Sequence, residues 1–168
     1  MNGTRYQTII IIMAMSIWAS IASAGQSSED RLFAQGRYIV AISGCNDCHT
    51  PHYPETGGKV AESDWLTGSP VGFRGPWGTT YPANLRLLMQ TLTEEQWLKR
   101  ARMQTRPPMP WFSLHAMNES DLRAMYHFIR NLGPKGVAAP DYVDPNQAVL
   151  TPYIDFIPRN LPQQAVRK

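Results

Sequence analysis

The sequence predicts an all-α chain with three main helices, long loops between them and a Pro-rich C-terminal extension. Apolar residues recur at helical spacing in three stretches, and no stretch alternates as a half-buried strand would. Six prolines between positions 134 and 162 break any helical period there. The 168 residues suffice for one compact domain once a leader is set aside. Net charge is only +3, which argues against a nucleic-acid-binding domain with its concentrated basic face. Two cysteines exclude a disulfide scaffold, a four-cysteine zinc site and a cubane iron–sulfur cluster.

Residues 1–24 read as a cleaved secretory signal. Arg5 is the positive n-region, Thr8 to Ile21 is mostly apolar, and Ala22-Ser23-Ala24 is the small-x-small cleavage pattern. An uncleaved anchor is the alternative, but about 20 uninterrupted apolar residues are needed to span a bilayer and this run is shorter. Export places the protein in the periplasm, where a cysteine pair oxidises unless something claims it. The domain is then expected over 25–133, and 134–168 as a strap lying on it. Tyr142, Val149, Tyr153, Ile154, Phe156 and Ile157 make that strap too apolar for a free tail. A docking segment for a partner subunit is the other reading.

The first helix is expected over Glu29–Ser43 with Ser28 as N-cap, and Leu32, Gly36, Ile39, Val40 and Ser43 on one face. Gly36 costs roughly 1 kcal/mol against Ala inside a helix, so it points to a close helix crossing. The second helix opens at Thr93 with Gln96 completing a capping box, carries Trp97, Leu98 and Ala101, and stops before Pro107 and Pro108. A shorter helical piece fits Leu85–Gln90. The third is capped by Asn118, striped by Leu122, Met125, Tyr126, Ile129 and Leu132, and ended by Gly133-Pro134. The roughly forty Gly-, Pro-, Trp- and Tyr-dense residues between the first and second helices need an organiser other than secondary structure.

Cys45-Asn46-Asp47-Cys48-His49 supplies one. CxxCH is the signature of covalent c-type haem attachment. Two thiols three positions apart can each add to one vinyl group of a porphyrin, and the adjacent His49 then offers its imidazole as an axial ligand. A thioredoxin-like thiol pair needs a βαβ frame that is not visible here. A zinc or copper site needs a fourth ligand brought in from elsewhere.

For the sixth ligand, Met89, Met103 and Met125 sit on predicted helices, where methionine usually packs, and Met117 adjoins the third helix's cap. Met109 stands apart in Arg106-Pro107-Pro108-Met109-Pro110-Trp111, where three prolines stiffen the backbone and lower the ordering cost of presenting a thioether. It is the favoured ligand. His115 is the second choice; His52 lies too close to His49, and His127 reads as a surface or supporting residue. Trp77, Tyr81 and Trp111 either wall the haem edge and reach its propionates or are plain core, and Arg74 is a propionate partner or a solvated arginine.

A leading helix with Gly36 and Tyr38, then CxxCH, then a Pro-flanked methionine 60 residues after His49, then a last helix with Tyr126, resembles a class I monohaem cytochrome c over about Glu29 to Leu132. That resemblance implies a cytochrome c-like fold in which the first and last helices cross near a glycine and an aromatic, here Gly36 and Tyr126. The 75–85 run and Met109-Pro110-Trp111 are similar to the cytochrome subunits and domains that serve periplasmic dehydrogenases, although those relatives often carry two or three CxxCH motifs and this chain has one. The family usually has proline directly before the Asn-Leu pair, its carbonyl accepting the axial histidine's N–H; here Ala83 takes that position with Pro82 before it, so either carbonyl is open. The tail beyond Pro134 has no counterpart in the basic family fold.

The expected function is one-electron transfer in the periplasm by a non-enzymatic carrier with a single haem c, held by Cys45 and Cys48 and ligated by His49 and Met109. The partners are redox proteins, a periplasmic dehydrogenase or a terminal oxidase; no nucleic acid is involved, and membrane contact comes only through a partner or an uncleaved signal. Lys99, Arg100, Arg102 and Arg106 form a basic cluster that either steers an acidic partner or is a solvated helix face. Two alternatives remain: an obligate subunit of a dehydrogenase or oxidase complex, and a haem sensor or enzyme with a labile sixth site.

Overall fold

The computed structural model describes residues 28–159. The signal assigned to residues 1–24 lies outside the described residues.

Helix α1 covers 28–42. Gly44, in the left-handed region at φ 70°, turns the chain straight into the short helix α2, Cys45–His49. An irregular stretch with one 3-10 turn at Glu62–Asp64 leads to β1 (Gly72–Gly75) and β2 (Gly78–Thr80). Then come α3 (Leu85–Thr91), α4 (Glu94–Ala101), α5 (Trp111–Ala116), α6 (Glu119–Asn131) and β3 (Tyr153–Asp155). Asn84 caps α3 by accepting from Leu87 N, and the Thr93–Gln96 capping box is present at α4. Asn118 takes the N-cap position of α6, as its sequence position indicated, but its side chain makes no capping bond. Helix α5 is a feature that sequence reading missed, hidden by the prolines just before it.

The fold is mostly helical, but the all-α expectation needs correcting, because the chain carries a three-stranded sheet in the order β2-β1-β3. Strands β1 and β2 form an antiparallel hairpin around Pro76-Trp77, and β3 joins β1 in parallel. The strands are three or four residues long, β1 and β2 carry glycine, and β3 pairs across some 80 residues of chain, so no alternation could announce them.

Helix α6 is the centre of the core. Leu122, Ala124, Met125, Phe128 and Ile129 are buried, against Met89 of α3 and against Trp97 and Ala101 of α4. The Trp97 indole N–H donates to Leu122 O at 2.8 Å. Helix α1 crosses α6 at Gly36, where a Cβ would run into the Ala124 carbonyl and Phe128. The aromatic at that crossing is Phe128, whose ring meets Phe33 edge-on at 5.1 Å. It is not Tyr126, which lies two residues earlier and so on another side of the helix, donating its hydroxyl to Leu92 O at 2.9 Å.

Arg86 is 5% exposed and bonds three carbonyls: Ser63 and Gly133, each at 2.6 Å, and Leu132. Two of these lie just beyond the C-terminal end of α6, where unpaired carbonyls and the helix dipole favour a cation.

The segment after α6 runs back over α3 and the hairpin. Asn84 Nδ2 donates to Lys135 O (2.8 Å) and Val137 O (3.1 Å). Thr79 and Val143 exchange backbone bonds, and Gly72 N donates to Pro152 O at 2.8 Å. Among the described residues no helix is long and apolar enough to cross a membrane.

Candidate haem-attachment site

Cys45, Cys48 and His49 share helix α2, the two thiols three positions apart and therefore neighbours on its surface. Both cysteines are free and half-buried. Burial pushes the Cys45 thiol up to about 11, with the Asp47 charge adding to the rise, and raises Cys48 for the same two reasons. A thiol–disulfide oxidoreductase needs the opposite shift, a readily ionised cysteine. Among the described residues no group of three or more His, Cys, Asp or Glu side chains is arranged to hold a bare metal ion. The raised thiols weigh against the thiol-redox reading of the motif.

His49 is buried, and its Nδ1 lies 2.7 Å from Ala83 O. A carbonyl only accepts, so Nδ1 carries the hydrogen. Burial lowers the imidazole's pKa, against which the Ala83 bond works, so the ring is held neutral with its lone pair on Nε2. That is the tautomer an axial metal ligand needs, fixed by an outer-shell acceptor. Of the two carbonyls left open by the sequence, Ala83 provides it.

The backbone of α2 is fixed as firmly as the ring. His49 O accepts from Gly68 N at 2.8 Å. Asn46, fully buried, accepts from the Thr50 hydroxyl (2.7 Å), and Thr50 Oγ1 accepts in turn from Leu66 N (2.7 Å). Leu66 O then receives Leu85 N and Arg86 N at the start of α3. Leu66 sits at φ 62°, a left-handed conformation that costs a branched residue on the order of 1–3 kcal/mol and persists because the surrounding bonds and burial determine it. Nothing in the sequence distinguished Gly68, Thr50 or Leu66 as supports of the motif.

Met109 comes from the separate segment between α4 and α5 and is half-buried. The segment is tied to β2 by the Thr80 hydroxyl, which donates to Pro107 O at 2.8 Å, and the Pro107–Pro108 peptide is cis. The other candidate ligands have their own settings. His52 is exposed at φ 60°, the His115 ring packs on Trp111 with centroids 4.9 Å apart, and His127 Nε2 lies 3.2 Å from Glu94 Oε2. Met89 and Met125 are core residues, Met117 packs at the core's margin, and Met103 is 52% exposed.

Two side chains considered for haem propionates also meet the C-terminal segment. The Tyr81 hydroxyl pairs with Thr151 Oγ1 at 2.6 Å, and Arg74 lies over the Tyr153 ring while donating to Pro145 O. Trp77 Nε1 and the hydroxyls of Thr79 and Thr105 are buried without a partner. Within the basic cluster, Arg102 closes the end of α5 by donating to Leu114 O, His115 O and Met117 O, which leaves Lys99, Arg100 and Arg106 as its other exposed charges.

Two adjacent thiols and a neutral, oriented imidazole on one helix are a donor set that suits a covalently held haem. Comparison with known proteins points the same way. The chain is 29% identical over 157 residues to the cytochrome c subunit of the quinone alcohol dehydrogenase of Gluconobacter oxydans (strain 621H), a match covering 83% of this chain and 30% of that one. The chain thus spans less than a third of that relative's length. No protein-family model matches the chain, and no solved structure matches it. A cytochrome c-like relationship is what the similarity supports.

Proposed function

We propose that this chain is an exported one-electron carrier that holds a single c-type haem. The observation that carries the reading is the grouping of Cys45, Cys48 and His49 on one helix with His49 Nδ1 bonded to Ala83 O. Cys45 and Cys48 would form the two thioether links, and His49 Nε2 and the Met109 thioether would ligate the iron. When bound, the haem iron supplies a reversible ferric–ferrous couple. The chain's part is to fix the ligands, exclude water and keep His49 neutral. Residues 1–24 direct export to the periplasm, and residues 134–168, of which 160–168 lie outside the described residues, are read as a strap on the cytochrome domain.

A second reading, that the carrier works as a subunit of a dehydrogenase complex, is favoured by the similarity to the cytochrome c subunit of a quinone alcohol dehydrogenase.

The test is an absorption spectrum of the protein produced with c-type maturation machinery, oxidised and reduced, before and after Met109→Ala. One covalent haem, with a far-red methionine-to-ferric-iron band that the substitution abolishes, is the expected result. Covalent haem with a band that is absent or survives Met109→Ala would refute the axial assignment. Carbon monoxide binding to the reduced wild type would then favour a sensor or enzyme.

A further inference from the structure

We propose that Tyr142, in the segment after α6, is a positioning residue for Met109, acting through Arg106. The inference rests on the reading of Met109 as the second axial ligand.

Arg106 lies three residues before Met109, and its guanidinium carbon stands 4.1 Å from the centroid of the Tyr142 ring. That is well inside the range of a cation–π contact. Tyr142 is itself fixed from the other side, its hydroxyl donating to Trp77 O at 2.8 Å. The next residue, Val143, exchanges backbone bonds with Thr79 at 2.7 and 3.0 Å. Gly78, at φ 97°, makes room for this seat, since a Cβ there would lie 2.6 Å from the Tyr142 hydroxyl. Thr80 then reaches Pro107 O from the same strand. Strand β2, Tyr142–Val143 and Arg106–Pro107 therefore close a ring of contacts, and Met109 follows two residues after it.

The physical consequence concerns a weak ligand. A thioether bond to iron is readily exchanged, so the fraction of time the segment presents Met109 correctly sets how easily an added ligand displaces it. Anchoring the segment at Arg106 raises that fraction by removing alternatives before the bond forms. The tail thereby supports the site without contributing a ligand to it.

The experiment is an imidazole titration of the ferric holoprotein, read by loss of the far-red band, for wild type, Tyr142→Leu, Tyr142→Phe and Arg106→Gln. Tyr142→Leu and Arg106→Gln are expected to bind imidazole at least about threefold more tightly, with a lowered reduction potential, in line with the loss of one cation–π contact. Tyr142→Phe keeps the ring but loses the hydroxyl's bond to Trp77 O, so its imidazole affinity is expected to fall between wild type and Tyr142→Leu. Arg106 is exposed, so Arg106→Gln decides the matter even where Tyr142→Leu fails to fold. Wild-type imidazole affinity in Arg106→Gln overturns the proposal while leaving Met109 as ligand, provided Met109→Ala abolishes the band. A band that survives Met109→Ala overturns both.

Discussion

Gly68 is what allows the Ala83 carbonyl to reach His49. Its N–H holds His49 O at 2.8 Å, and its Cα lies so close to the 82–84 backbone that an added Cβ would sit 2.8 Å from Asn84 N. With φ at 80°, the position is also one that other residues adopt only under strain. One glycine thus brings the backbone of α2 and the acceptor for its imidazole into a single frame.

Gly68→Ala should therefore loosen the histidine's hold as well as the fold. The steric and conformational costs together predict a loss on the order of 1–3 kcal/mol, seen as a lower Tm. In the haem-loaded protein the ring N–H resonance of His49 should exchange faster with solvent than in wild type. Unchanged exchange in a destabilised variant would mean that Gly68 serves only general packing.

Gly36→Ala sets helix propensity against packing. Propensity alone would favour alanine by about 1 kcal/mol. At Gly36, however, the new methyl meets the Ala124 carbonyl and the Phe128 Cβ, a backbone group and an atom bonded directly to the backbone, neither able to swing aside. The clash should win, with a net destabilisation of about 2 kcal/mol or more in chemical denaturation. A stabilised variant would show that α1 and α6 can slide apart freely.

These two glycines mark what was legible in the sequence and what was not. Gly36 could be read because it sits on a face with Ile39 and Val40, so local periodicity supplies its context. The capping box at Thr93 was equally local and is in place, whereas Asn118 holds the N-cap position of α6 without a side-chain capping bond. Gly68 and Leu66 answer to partners 15 to 20 residues away, and no local pattern encodes such a meeting. Strand β3 was missed for the same reason, and Phe128 was left out of the α6 stripe although it lies one turn from Ala124. Of the site, CxxCH was plain from spacing alone, whereas the Ala83 acceptor depends on how the fold brings residues 34 apart together.

Arg86 offers a third test. Its guanidinium is buried and bonded to three carbonyls, two of them just beyond the C-terminal end of α6. Arg86→Met keeps much of the volume but strands those acceptors, with an expected cost on the order of 3 kcal/mol. Arg86→Lys should recover only part of it, because an ammonium cannot span the same fork. Equal stability of the Lys and Arg forms by urea titration would contradict this account.

The last prediction concerns acid. Glu94 Oε1 lies 2.6 Å from Arg123, which also bonds Glu95 and Glu119, and Glu94 Oε2 faces His127. The bond from Arg123 is the chief reason that the Glu94 carboxyl titrates below its ordinary value, with His127 assisting. A carboxyl depressed in the folded state contributes its full stability above its unfolded pKa, about 4.3, and loses it as pH falls through the lower native value. Glu94→Gln should therefore lower Tm at pH 7, and the gap to wild type should close on acidification below about pH 4. Because Arg123 remains 35% exposed, solvent screening limits the effect to under about 1 kcal/mol, and added salt should shrink it further. A gap that widens in acid would mean that the carboxylate is a burden to the α4–α6 contact rather than a support.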